Sequence, residues 1–245
     1  MMVRILASTL ENGEAEFREC VERINSQKEI ELQHHIISGL SERNAHKELA
    51  KTWSKRKKDF DFLVKIDADT LLQNEYCLSR ISNFMISENA SGIQIKLLDY
   101  FSNSLISGLN MFASEVRFRT RVSRLRPDNF DFGHWKVLKG KDVEFLAPVG
   151  FHCKYPSPRQ SFSFGYRRYL KSQYDILAKC FLEWEEKRDE SRRWALVGAI
   201  TAQRNKLSKI WFSSDQVERK FLNIQLSKYS DAILLDYGKI VRTLR

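Results

Sequence analysis

Nowhere in the chain does an apolar run approach membrane-spanning length. The longest, Trp194 to Ile200, holds seven residues even with Gly198 counted. A spanning helix needs about 20, so none is expected. The opening, MMVRILASTLENGE, turns acidic before a signal-peptide core or a cleavage site develops; a cytoplasmic chain is the expectation. Cysteine is sparse. Cys20, Cys77, Cys153 and Cys180 lie far apart, and no spacing among them is that of a zinc or redox motif. They read as free thiols packed like small hydrophobes in a reducing compartment. No internal repeat and no low-complexity segment is found. Acidic residues are outnumbered, 31 against 41 Lys and Arg, which leaves a net charge of +10. Such an excess asks for an anionic partner: nucleic acid, an acidic membrane surface or a phosphorylated substrate.

What is present supports a folded α/β protein. Hydrophobic residues make up 42% of the 245, enough for a large domain with a helical appendage. Val3 to Leu6 reads as a strand, followed by a helix with Phe17, Cys20, Val21 and Ile24 on one face and Asn12 as its expected cap. Ile30 to Ile37 is a second strand. Ser41 starts a helix carrying Ala45, Leu49 and Trp53, and its basic end, KRKK, suits a helix C-terminus. Phe60 to Ile66 is a third strand. This alternation implies right-handed crossovers and a mainly parallel sheet flanked by helices. Further on, Cys77 to Met85 reads as helix and Gly92 to Leu98 as strand. Leu105, Leu109, Phe112 and Val116 suggest a helix, and Val143 to Val149 a last strand. From about Gln160 the pattern is helical, with breaks expected near Ser213-Ser214 and Gly238. A catalytic domain over residues 1–158 and a helical C-terminal extension over 159–245 are the expected organisation.

The chemistry begins where the third strand stops, at Asp67-Ala68-Asp69. Ligands of such sheets collect outside the carboxyl ends of the strands. Two carboxylates this close repel each other unless a cation or solvent intervenes. In extended chain, residues two apart project to one side, so both could face a hard divalent cation, Mg2+ or Mn2+. The bland alternative is a pair of turn aspartates ahead of the next helix. His152, in APVGFHCKYPSP, follows the last strand; if that strand runs beside the third, His152 and Asp69 meet. Lys154 and Arg159 lie close by in sequence and could grip phosphate oxygens.

These segments resemble the GT-A fold of nucleotide-sugar-dependent glycosyltransferases. VRILASTLENGEAEFRECVERINSQ is similar to the opening of family 2 members, FLVKIDADTLL to their D-x-D strand, and GFHCKYPSP to the late histidine that completes the metal site; KIDADTLL also resembles family 8. The resemblance implies Asp69 and His152 as ligands of Mn2+ or Mg2+, with Asp67 on the ribose or on the metal through water. It places Ser8 and Thr9 beside the nucleotide. It implies transfer of a sugar from a nucleoside diphosphate sugar to a hydroxyl of a glycan or lipid-linked acceptor, as in polysaccharide biosynthesis. Two departures stand out. The second strand ends in Ser38-Gly39 rather than an acidic residue, and no Glu-Asp pair supplies the base of inverting members. For that base the residues offer Asp131, ahead of Asp128, in RPDNFDFGHW, with Phe130 and Phe132 beside Asp131 to raise its pKa. Asp142 is a further candidate, and Glu144 is discounted because it falls inside the expected last strand.

Two rivals remain at this level. A nucleotidyltransferase would show a Gly- and Lys/Arg-rich loop near the first strand, and ASTLENGEAEF is acidic instead. A basic nucleic-acid-binding module would use RFRTRVSRLR, but Phe118 alone interleaves its charges, and stacking surfaces want several aromatics; no nucleic acid is expected. Trp184, Trp194, Trp211 and Phe212 in the basic tail suit either core packing or peripheral contact with an anionic membrane at the inner face.

Overall fold

The computed structural model describes residues 2–117, 136–205 and 214–244. It divides into two compact units: Met1–Leu98 with Leu105–Lys154, and Asp99–Ser104 with Tyr155–Arg245.

In the first unit the elements run β1 (Val3–Leu10), α1 (Phe17–Asn25), β2 (Ile30–Ile37), α2 (Glu42–Arg56), β3 (Phe62–Asp67), β4 (Thr70–Leu72), α3 (Cys77–Ser87), β5 (Gly92–Asp99), β6 (Ser104–Ala113), β7 (Val137–Leu138) and β8 (Gly150–His152), with a 3-10 helix at Gly140–Leu146. The sheet order is β2-β1-β3-β6-β5-β8-β4, and β7 pairs with β5. β1 is parallel to both β2 and β3. β6 joins β3 antiparallel, and β4 joins β8 antiparallel. The sheet is therefore mixed, and the expectation of a mainly parallel sheet is corrected. Crossover helices impose parallel pairing on the first three strands, and β5 is parallel to β7 as well. The link from β5 to β6 spans only 100–103, too short for the dozen or more residues of a parallel crossover.

Strand alternation sends side chains to two helix-covered faces. Ile5 and Ala7 of β1 pack with Cys20 and Ile24 of α1 and with Leu78, Ile81 and Met85 of α3. Leu6 packs on the other face with Leu49 and Trp53 of α2, and with Leu63 and Phe112. The Trp53 indole N–H, deep in that face, donates to the Val116 carbonyl at 3.2 Å. Gln27, just past α1, fixes the chain that leads into α3: its amide donates to the Asn74 carbonyl at 2.8 Å, and its oxygen accepts the Leu78 N–H at 2.9 Å.

Several local expectations change. Residues 104–113 form a strand, not a helix; Leu109 and Phe112, three residues apart, fall on opposite faces of the sheet. Gly108 packs closely on β5, where a Cβ would collide with the Leu97 side chain. Residues 140–146 form a 3-10 helix, and the strand is delayed to 150–152. Asn12 does not cap α1. The cap residue is Glu16, without a side-chain bond, and the Asn12 N–H instead donates to Glu14 Oε2 at 2.6 Å.

The second unit is helical: α4 (Pro158–Leu170), α5 (Tyr174–Lys187), α6 (Glu190–Arg204), α7 (Ser214–Leu222) and α8 (Asp231–Thr243). α4 opens on a capping box between Ser157 and Gln160, with proline in its first turn. Gly165 of α4 and Gly198 of α6 let these helices meet backbone to backbone, because a Cβ on either would strike a carbonyl of the other. Gly238 does not break a helix as expected. It lies inside α8, where a Cβ would strike the Phe181 ring of α5. The buried Arg192 guanidinium donates to the Phe101 and Tyr100 carbonyls and pairs with Asp189 at 2.8 Å, which ties segment 99–104 into this unit. Trp184 is 1% exposed and belongs to the core. Trp211 and Phe212 lie outside the described residues. Among the described residues, no helix is long and apolar enough to cross a membrane.

Candidate metal centre

β3 carries the chain outward through Leu63, Val64 and Ile66, all buried, to Asp67, whose side chain is 46% exposed. Ala68 is fully buried, so the turn is held down between its two aspartates. The chain then re-enters the sheet at once as β4, which pairs with β8 in the register Thr70↔His152, Leu71↔Phe151, Leu72↔Gly150. Gly150 permits this approach: a Cβ there would strike the Leu71 carbonyl. The pairing continues one step further, where the Cys153 N–H donates to the Asp69 carbonyl at 2.9 Å. His152 thus reaches Asp69, although by a different route from the expected one. Its strand lies beside β4 and β5, not beside β3.

Three side chains converge at that point. His152 Nε2 is 3.7 Å from Asp69 Oδ2. The Cys153 thiol donates to the same oxygen at 3.1 Å, and its sulfur is 3.8 Å from His152 Nε2. Asp69, His152 and Cys153 offer one ligand atom each, all within 4.8 Å of one another. The other Asp69 oxygen, Oδ1, is buried without a hydrogen-bond partner. A buried carboxylate oxygen left so is costly, about 1–3 kcal/mol or more for a charged group. A donor set of oxygen, nitrogen and sulfur around an unsatisfied carboxylate fits a divalent cation.

Asp67 takes a separate course. Its Oδ1 pairs at 3.0 Å with Lys65 Nζ, on a side chain only 5% exposed. The positive group beside the first aspartate is thus supplied by the protein, two residues back on the same side of β3. Asp67 is not among the three clustered residues.

The surroundings are electronegative. Burial raises the Glu14 carboxyl above its ordinary range, with the charges of Asp69 and Asp67 adding to the rise against backbone hydrogen bonds that lower it. The Cys20 thiol is pushed up to about 12, mainly by burial and then by the same two aspartates. A cation near Asp69 would meet this field favourably.

The remaining expected site residues are scattered. Ser8 and Thr9 are both fully buried and, as strand neighbours, face opposite sides of the sheet. Thr9 Oγ1 is bonded to His34 Nε2 at 2.9 Å, whereas Ser8 Oγ is buried without a partner. Lys154 is half-buried, its Nζ 5.5 Å from the Phe151 ring centroid. Arg159 stands in the first turn of α4, in the second unit. Asp131 and Asp128 lie outside the described residues. Asp142 and Glu144 are exposed on the 3-10 helix; Glu144 is therefore not inside a strand.

Sequence reasoning missed Cys153, Lys65 and Glu14. Lys65 was detectable, because it precedes Asp67 by the strand period. Cys153 was not: neighbours in an extended chain point apart, so His152-Cys153 reads as one inward and one outward side chain. The structure overrides this with a left-handed backbone at Cys153, φ +51°, a region that non-glycine residues seldom occupy.

No protein-family model matches the chain, and no curated protein does either. Among solved structures, the chain is similar to the mannosyltransferase PcManGT from Pyrobaculum calidifontis in complex with GDP-Man and Mn2+, at 13% identity and a TM-score of 0.47, over 98% of this chain and 84% of that one. It is also similar to A197 from STIV, at 14% identity and a TM-score of 0.33, over 60% of this chain and 78% of that one. At these TM-scores neither likeness bears on chemistry, and the functional reading rests on the site.

Proposed function

We propose that the protein is a metal-dependent glycosyltransferase of GT-A type, moving a sugar from a nucleoside diphosphate sugar to a hydroxyl of a glycan or lipid-linked acceptor. The observation that carries this reading is the convergence of Asp69 and His152, 3.7 Å apart, at the turn that ends β3, with one Asp69 oxygen buried and unpartnered. A divalent cation, Mn2+ or Mg2+, bound there would supply positive charge against the departing diphosphate. Asp69 and His152 hold it. Asp67, half-exposed and kept in place by Lys65, is left to bind the ribose or to reach the metal through water. Ser8 and Thr9, at the end of β1, are assigned to the border of the nucleotide. Lys154 and Arg159 are assigned to the phosphates, and Asp131, ahead of Asp128, to the proton of the acceptor hydroxyl. The net charge of +10 favours an acceptor carried on an anionic surface.

The test is to incubate the purified chain with a panel of nucleoside diphosphate sugars and Mn2+ and to follow release of the nucleoside diphosphate. Release is expected for one donor, dependent on metal and lost in Asp69→Ala. Equal release by Asp69→Ala, or a chain that ignores every donor and instead binds nucleic acid with steep salt dependence, would overturn the proposal.

A further inference from the structure

Cys153 stands closer to Asp69 than His152 does, 3.1 Å against 3.7 Å, and three features of the chain conspire to put it there. Its N–H is clamped to the Asp69 carbonyl, its backbone is in the left-handed region, and its side chain is buried. Left-handed backbone at a residue other than glycine costs of order 1–3 kcal/mol and persists where the surroundings enforce it, often at functional sites.

The geometry gives a sharper criterion. Metal bonds of about 2.0–2.3 Å to nitrogen, oxygen and sulfur, opened to the tetrahedral angle, put ligand atoms about 3.4–3.6 Å apart. The same bonds at octahedral right angles put them at about 2.9–3.1 Å. The observed edges are 3.1, 3.7 and 3.8 Å. Two of the three are longer than an octahedral face allows and nearer the tetrahedral value; the third, 3.1 Å between Cys153 and Asp69, is at present a thiol hydrogen bond and falls at the octahedral value. Thiolate ligands also select softer ions than carboxylate and water do.

We infer that Cys153 is a third protein ligand, so that Asp69, His152 and Cys153 form a three-residue site for a borderline ion such as Zn2+ or Co2+, with a fourth position left open. This inference rests on the reading of Asp69 and His152 as metal ligands given above, and it changes which ion they hold. The thiol proton now donated to Asp69 Oδ2 leaves to solvent when the sulfur binds, so the bound ligand is the thiolate.

The experiment is a titration of the metal-free full chain with Co2+, followed by absorption, in the native protein, Cys153→Ser and Asp69→Ala. The native protein should develop the strong visible bands of four-coordinate cobalt and a thiolate-to-cobalt charge-transfer band in the near ultraviolet. Cys153→Ser should lose the charge-transfer band and bind Co2+ more weakly by upwards of about tenfold, the loss that even an outer-shell partner can cause. X-ray absorption on the Co2+-loaded native chain, which needs no variant to fold, should find one sulfur at about 2.3 Å. Cobalt bound by nitrogen and oxygen alone, with Asp69→Ala abolishing binding and Cys153→Ser not weakening it, would overturn the role of Cys153 and leave the metal site standing. Native Co2+ binding retained in Asp69→Ala would overturn the metal site itself.

Discussion

Replacing Asp69 by Asn tests the site with the least change of shape, and its two expected effects have opposite signs. In the absence of metal the carboxylate is a liability. Its Oδ1 is buried without a donor, and it adds to the field that raises Glu14 and Cys20. An amide removes the charge and keeps an acceptor for the Cys153 thiol. Unpaired buried polar groups cost about 1–3 kcal/mol; some of that is returned to the amide's own unmet donors, so a net gain of about 1 kcal/mol is expected. For a domain of about 150–250 residues this raises the melting temperature by about 2–4 °C. With metal the order reverses. At a free concentration of about 100 times Kd, a ligand that binds only the folded state stabilises it by about 2.7 kcal/mol, or about 5–11 °C on the same scale. The native protein should show that shift and Asp69→Asn none. Thermal melts of both proteins, in chelator and then in Mn2+ or Co2+, supply all four numbers. The reasoning is refuted if Asp69→Asn melts below the native protein in chelator and still shifts with metal. Asp69 would then be a structural acceptor for the Cys153 thiol and no more.

The other aspartate should behave in the opposite way: Asp67→Asn strips the buried Lys65 ammonium of a charge-assisted bond of 3.0 Å and should destabilise the metal-free protein by about 1–3 kcal/mol, read from urea unfolding. Glu14→Gln probes the surrounding field. Burial and the nearby aspartates raise the Glu14 carboxyl, so the folded state favours its protonated form; the resulting stability is complete below the ordinary glutamate value and is lost as the pH rises through the folded value. Glu14→Gln should therefore match the native protein in acid and exceed it in stability at neutral pH. Melts that stay parallel across that range would show that Glu14 does not titrate abnormally.

How far the sequence discloses this protein depends on whether the decisive relation is local. The alternation of β1, α1, β2, α2 and β3 was legible because each amphipathic segment declares its own period and each crossover imposes parallel pairing. The position of Asp67 and Asp69 at a strand end followed from the same pattern, whereas His152, expected past a strand over 143–149, in fact closes a strand over 150–152. The strand β6 was misread because Leu105, Leu109, Phe112 and Val116 fall at intervals of four, three and four, the helical repeat, whereas the strand puts Leu109 and Phe112 on opposite faces. The mixed sheet was hidden for a related reason: nothing local in Thr70-Leu71-Leu72 says that three residues pair with Gly150–His152. Yet that pairing, some eighty residues across the chain, assembles the candidate centre. It also separates the two aspartates that the motif presents as equivalent. Asp67 is satisfied from its own strand by Lys65, while Asp69 is turned toward β8 and meets a histidine and a thiol. Asp-Ala-Asp is thus one motif in the sequence and two environments in the fold, one neutralised by the protein and the other furnished with ligand atoms and an unsatisfied oxygen. Only the second offers a cation a place.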